Sequence, residues 1–440
     1  MKRKTNAQQL LDFDQSKDGQ PLPSPKRTRN DAILDGEMPW GLAYAAFSRS
    51  FASAAIRELT AGKQFTVVDP FVGSGTSVEA SLENGCSCIG IDLNPFSALT
   101  SRVRGVEKTT LKDVNTVFSR LNKHIKSIPK SRQHQSNEPS PIGTLLNLLA
   151  RDLNTNPNQV IEDLCSKKSF EFDNELIALC SITYASRKLA NVSRGSNPTW
   201  LYAIGEATTI ETEQLLEKAR DISAQMLDNL SRRARPARTY TQIFNTDFAA
   251  SSIKDSSINR FLTSPPYLNR LDYVRSNLPE IQRLTHEEGG QIENLRSKMM
   301  GTTKIRKLSE SETQAPFTSL SVYSMLDDIA AHSSKASSTY YSKFFRQYFL
   351  DLERFFLWLA KKTAPNAVGM IVLQDSYYKD IPVPLADIYQ EVGEAYGFNT
   401  KVTASWSKSN HIGQMSPMQR QHAPGKILTE SVIFLEKRAS

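Results

Sequence analysis

Phe65-Thr66-Val67-Val68-Asp69-Pro70-Phe71-Val72-Gly73-Ser74-Gly75-Thr76-Ser77, followed after Val78-Glu79-Ala80-Ser81-Leu82 by Cys88-Ile89-Gly90-Ile91-Asp92, is the stretch that decides the fold. It reads strand, glycine turn, helix, strand, and ends on an acid, which predicts the opening βαβ unit of a doubly wound parallel sheet. Gly73 and Gly75 let backbone approach a ligand closely. Asp92 stands where an acid can bind ribose hydroxyls. The third glycine of a dinucleotide fingerprint is absent, with Val78 in its place, and Asp69 precedes the turn. A carboxylate there repels pyrophosphate but tolerates a cation or an amino group, so a nucleoside sulfonium fits better than a dinucleotide.

The lead-in Pro39-Trp40-Gly41-Leu42-Ala43-Tyr44-Ala45-Ala46-Phe47-Ser48 runs into an apolar helical pattern over Phe51 to Leu59. Downstream, Gln242-Ile243-Phe244-Asn245 resumes the sheet and places Asp247 just past a strand end. Phe261-Leu262 then stops abruptly at Thr263-Ser264-Pro265-Pro266-Tyr267. Two prolines cannot donate to a ladder, so the chain must leave the sheet edge as a stiff extended loop. Such a loop can present the Ser264 hydroxyl, the Pro265 carbonyl and the flat face of Tyr267 to a planar base carrying an exocyclic amine.

The rest of the chain sorts by texture. Residues 1–35 are polar with two basic clusters and predict a disordered tail, and 36–100 form the cofactor-binding half. Residues 101–240 predict a helix-rich insertion, with basic runs near Arg187 and Arg233 that could grip phosphates or be solvated faces. Residues 241–440 form the catalytic half, with a polar, weakly patterned stretch at 285–340 that predicts a mobile recognition loop. Phe344, Phe345, Tyr348, Phe349, Leu352, Phe355, Phe356 and Leu359 recur at helical spacing and predict core. Ala367–Leu373 predicts a buried strand, residues near 385–395 a helix, and two further strands close the sheet around 399–406 and 430–435. The segment from Lys408 through His411 to His422 is rich in groups that hydrogen-bond bases and phosphates.

The chain has 440 residues, 39% apolar and 23% charged, and carries 54 Lys and Arg against 46 Asp and Glu, a net charge of +8. That balance favours a polyanionic partner. The N-terminus lacks a hydrophobic signal core and no apolar run approaches the roughly 18 residues that span a bilayer, which predicts a cytoplasmic protein without a membrane partner. The four cysteines have no metal-ligand spacing and predict reduced, buried thiols with no metal site.

With both motifs in hand, the chain resembles the S-adenosylmethionine-dependent amino-methyltransferases of DNA. The serine-headed Ser264-Pro265-Pro266-Tyr267 looks most like their cytosine-N4 branch, since adenine-N6 enzymes usually carry Asp or Asn at that position. The resemblance covers roughly residues 38–100 and 240–437 and implies a Rossmann-like α/β sheet, mostly parallel, with helices on both faces. It implies S-adenosylmethionine as cofactor, with Phe71, Gly73 and Gly75 wrapping its methionine end, Asp92 at the ribose and Asp247 at the adenine. Asp69, Thr76 and Asn94 complete the cofactor site, and Phe47 lies in a loosely matching first cofactor motif. It also implies double-stranded DNA as partner and a restriction-modification setting with a cognate endonuclease. Adenine-N6 methylation, methylation of RNA, and an inactive DNA-binding module remain the alternatives.

Overall fold

The computed structural model describes residues 21–26, 46–128, 140–168, 171–190, 210–233, 239–269, 271–285, 289–408 and 428–439. Most of the expected tail, the lead-in before Ala46, parts of the two basic runs and the segment 409–422 lie outside them. The strands are β1 Thr66–Asp69, β2 Ser87–Ile91, β3 Thr241–Phe244, β4 Ile258–Thr263, β5 Thr363–Gln374, β6 Ser376–Tyr378, β7 Ile381–Val383, β8 Phe398–Lys408 and β9 Leu428–Lys437. The described helices of the first half are α1 Arg49–Thr60, α2 Thr76–Glu83, α3 Pro95–Val103, α4 Leu111–Ser127, α5 Pro141–Leu153, α6 Val160–Ser166, α7 Asp173–Leu189 and α8 Thr212–Ser231. In the second half they are α9 Leu278–Thr285, α10 Gly289–Lys298, α11 Glu310–Gln314, α12 Leu320–Ala331, α13 Ser342–Lys362 and α14 Leu385–Ala395.

Seven of these strands form one sheet in the order β3-β2-β1-β4-β5-β9-β8. The first five run parallel, and β9 is antiparallel to both β5 and β8. This is the expected mostly parallel α/β arrangement, consistent with a Rossmann-like methyltransferase fold. The chain winds outward from β1 through β2 to β3, then returns to β4 on the other side of β1. The crevice beyond the carboxyl ends of β1 and β4 is therefore the topological switch point, where open α/β sheets bind ligands.

Alternation along the strands serves two faces at once, as it must when both are covered. Val67, Leu262, Met370 and Val372 pack with Phe51, Ala55 and Ile56 of α1. Val68, Phe261, Ile371 and Leu373 pack on the other face with Phe355, Phe356 and Leu359 of α13. The aromatic stripe of α13 is core along its length, as its spacing predicts.

Helices α4–α8 share one hydrophobic core with β2, α2 and α3. Buried ion pairs tie them in: Arg233, just past α8, and Arg104, just past α3, both reach Glu79 of α2, while Arg102 of α3 meets Asp173 of α7 at 3.1 Å. Burial alone would push Glu79 up, but the two guanidiniums outweigh it and hold its carboxyl at about 2.

Two expectations are corrected. Residues 21–26 do not hang free: the Ser48 amide donates to the Pro25 carbonyl at 2.8 Å and Lys26 bridges Phe47, because Leu22 and the buried Pro25 find apolar surface beside α1. Within the stretch 285–340, the described residues 289–331 carry α10, α11 and α12. Arg296 clamps Asp272 at 2.7 Å, and Val322, Met325 and Ile329 join the core on the α13 face. Among the described residues no helix is long and apolar enough to cross a membrane.

Candidate active site

The glycine turn leaves β1 at Asp69 and enters α2 at Thr76. Asp69 is 1% exposed, and its carboxylate is spent on the protein itself. Oδ1 accepts from the Phe71 amide at 3.0 Å and from the Thr263 hydroxyl at 2.6 Å, and Oδ2 accepts from the Ser77 hydroxyl at 2.6 Å. Burial pushes its pKa up to about 6, against the lowering by those three donors. The side chain expected to face a cation ties the end of β1 to the end of β4 and also lines the crevice.

Gly73 and Gly75 both have positive φ, at 52° and 87°. A Cβ on Gly75 would lie 2.7 Å from the Ser101 Cα, so this glycine permits the packing of α2 on α3 and does not line the crevice. A Cβ on Gly73 would meet nothing nearer than 3.9 Å and would instead fill the crevice. The Gly73 amide donates to Asp92 Oδ2 at 2.9 Å, and the Asn94 amide to Oδ1 at 2.8 Å. Each oxygen keeps a lone pair for a further donor. Burial, opposed by these two amides, pushes Asp92 up to about 7. Asn94 caps α3, its Oδ1 accepting from the Phe96 amide at 2.9 Å, while its Nδ2 donates to Asn277 at 3.4 Å.

Asp247 also lines the crevice, with Oδ1 accepting from the Ala249 amide at 2.9 Å and Oδ2 paired with Arg354 at 2.8 Å. Phe71 and Phe248 meet edge to face at 5.7 Å and form an apolar wall there. Phe47 closes one edge, its ring 5.8 Å from that of Phe51. Thr76, at the start of α2, faces the same space.

The proline loop at the end of β4 opens onto this crevice through Ser264 and Pro266. Pro265 is buried and does not line it. Tyr267 departs from its expected role: it is 6% exposed, its ring belongs to the core, and its hydroxyl accepts from Ser264 Oγ at 3.1 Å. It belongs to the same buried cluster as the aromatic stripe of α13. The Pro266 carbonyl accepts from Tyr348 Oη at 3.3 Å, and Tyr348 Oη lies 3.0 Å from Tyr389 Oη. The loop is held from behind, with the Ser264 hydroxyl in front.

The crevice is also lined by residues to which the sequence assigns no role: Tyr273, Asn277, Lys298, Met299 and Met300. Tyr273 follows the proline loop closely in a stretch with no periodic signal. The two methionines directly follow α10, whose Arg296 pairs with Asp272.

No family model matches the chain. The type II methyltransferase M.BsoBI of Geobacillus stearothermophilus is 22% identical over 429 aligned residues, covering 85% of this chain and 81% of that protein.

Proposed function

We propose that this protein is an S-adenosylmethionine-dependent methyltransferase acting on DNA, and that the group it methylates is the exocyclic N4 amine of cytosine. The observation that carries the reading is convergence: the glycine turn, Asp92 and Asp247 share one crevice with Ser264 and Pro266 at the switch point of the sheet. The distant similarity to a type II methyltransferase along most of both chains supports the same class.

The residues present fit the cofactor. Gly73 leaves open the space a side chain would fill, Asp92 has lone pairs for two ribose hydroxyls, and Phe71 and Phe248 offer an apolar edge for a purine. The buried Ser74 hydroxyl, which lines the crevice, has no hydrogen-bond partner among the described residues. When bound, S-adenosylmethionine supplies an electrophilic methyl group on a sulfonium.

The amine is a poor nucleophile because its lone pair is delocalised into the ring, so the protein must orient it and draw it toward a tetrahedral shape. Because the Ser264 proton is directed to Tyr267 Oη, the Ser264 oxygen keeps its lone pairs for an amine hydrogen. Pro265, whose carbonyl is the second acceptor expected from the sequence, is buried and does not line the crevice, so the reading rests on Ser264. Tyr267 acts from behind Ser264, holding its rotamer. A base inside a duplex cannot reach this crevice, so it must be flipped out, at a cost of about a few kcal/mol repaid by stacking and phosphate contacts.

Radiolabelled methyl donor and duplex DNA test the proposal. Label recovered in N4-methylcytosine supports it, whereas label in N6-methyladenine or only in RNA assigns a different acceptor. An absence of cofactor binding by calorimetry revives the inactive DNA-binding module. Ser264→Ala is expected to lower kcat far more than it weakens cofactor binding.

A further inference from the structure

With the Tyr267 ring in the core, the aromatic residue facing the crevice from the catalytic segment is Tyr273. Its Oη accepts from the Tyr267 amide at 3.4 Å, which leaves its own proton to donate, and among the described residues that proton meets no protein acceptor. Burial, opposed by the Tyr267 amide and reinforced by Asp92, pushes its pKa up to about 12, so the proton stays on at neutral pH. Ser264, which lines the same crevice, is the mirror case: its proton is committed and its lone pairs are open.

We propose that Tyr273 contacts the target base, donating its hydroxyl proton to the ring nitrogen beside the exocyclic amine while Ser264 accepts from the amine. This rests on the reading of the crevice as a DNA methyltransferase site and adds a specificity-determining residue to it. Cytosine presents an amine at C4 next to the bare acceptor N3, and adenine an amine at C6 next to bare N1. Thymine and guanine present an oxygen beside an N–H. Against them the Ser264 lone pairs meet an oxygen and the Tyr273 proton meets a hydrogen, so both contacts fail together. An acceptor facing a donor of this kind rejects the wrong bases because each mismatched polar group is left unpaired.

The test is a cycle between Tyr273→Phe and a duplex whose target cytosine is replaced by 3-deazacytosine, in which a C–H stands in place of N3. Wild type is expected to lose about tenfold in kcat/KM on the analogue, and Tyr273→Phe about tenfold on ordinary DNA. The variant should then show no further loss on the analogue, with an unchanged cofactor dissociation constant. If label lands in adenine, the same cycle uses 1-deazaadenine. Losses that multiply overturn the inference, as does a cofactor dissociation constant that rises in step with the loss of kcat/KM. In either case wild-type methylation of DNA still stands, so the two readings fail separately. If wild type transfers no label to DNA, both fall.

Discussion

Replacing Asp69 with asparagine separates two tasks that a carboxylate at the end of β1 could perform. In the structure Asp69 is buried, is held at about 6 against an ordinary 3.8, and accepts from Phe71, Thr263 and Ser77. A raised carboxyl pKa contributes stability that is complete below about 3.8 and is lost as pH rises through about 6. At about 1.4 kcal/mol per pKa unit, the ionised group costs the folded state about 3 kcal/mol above that window. Asparagine resembles the neutral acid and escapes this loss, so Asp69→Asn should gain on wild type by about 2 kcal/mol between pH 4.5 and pH 8. The Asp69 charge also helps to raise Asp92, so its removal eases the Asp92 penalty and adds to the gain with the same sign. Urea unfolding across this pH range measures the gain, and calorimetry with S-adenosylmethionine gives the second half of the result: a dissociation constant within about twofold of wild type. A pH-independent difference in stability would refute the electrostatic reasoning. A tenfold weaker cofactor complex would show that the carboxylate charge reaches the ligand after all.

Asp92 should govern the pH dependence of cofactor binding, because its ionised form is the one that accepts hydroxyl protons. Affinity measured by calorimetry is expected to rise as pH climbs through about 7 and then level off, while Asp92→Asn binds weakly with a flat profile. The two glycines should part company. Gly75→Ala drives a Cβ to 2.7 Å from the Ser101 backbone and should cost at least about 2 kcal/mol in urea unfolding, whereas Gly73→Ala should cost about 1 kcal/mol and chiefly lower cofactor affinity. Thr263→Val removes one donor to Asp69 while keeping the β-branched shape of the strand. It should lower kcat severalfold in steady-state assays with little change in cofactor affinity, since it loosens only the link beneath Ser264.

What could be read from the residues is what depends on neighbours in sequence. The β1–turn–α2 unit declares itself because strand, glycine and helix signals fall within one short run, and the α13 stripe because its period is local. Tyr267 misleads because the choice between facing a ligand and joining a core is made by a buried cluster most of whose members, the α13 stripe among them, are distant in sequence. The stretch 285–340 misleads for a related reason. Its folding is secured by Arg296 on Asp272, two charged residues that read as surface until each supplies the other with a partner. Arg102 and Arg104 are similar: both are 1% exposed, and Asp173 and Glu79, contributed by other helices, help make that burial tolerable.

The same distinction bears on how the site keeps its geometry. Cofactor and acceptor residues come from opposite halves of the chain, yet the contact between them is made by strand pairing, since Val67 and Val68 of β1 register with Arg260 and Phe261 of β4. The Thr263–Asp69 hydrogen bond extends that pairing to the point where both strands end, and the Asn94–Asn277 contact closes it across the crevice. In the proposed reaction, a methyl donor at the glycine turn and an amine at Ser264 would therefore be referred to one rigid frame. Displacements of about 1 Å in that frame can cost about a hundredfold in rate, which gives a physical reason for a buried carboxylate to sit at the junction even though it costs stability above pH 6.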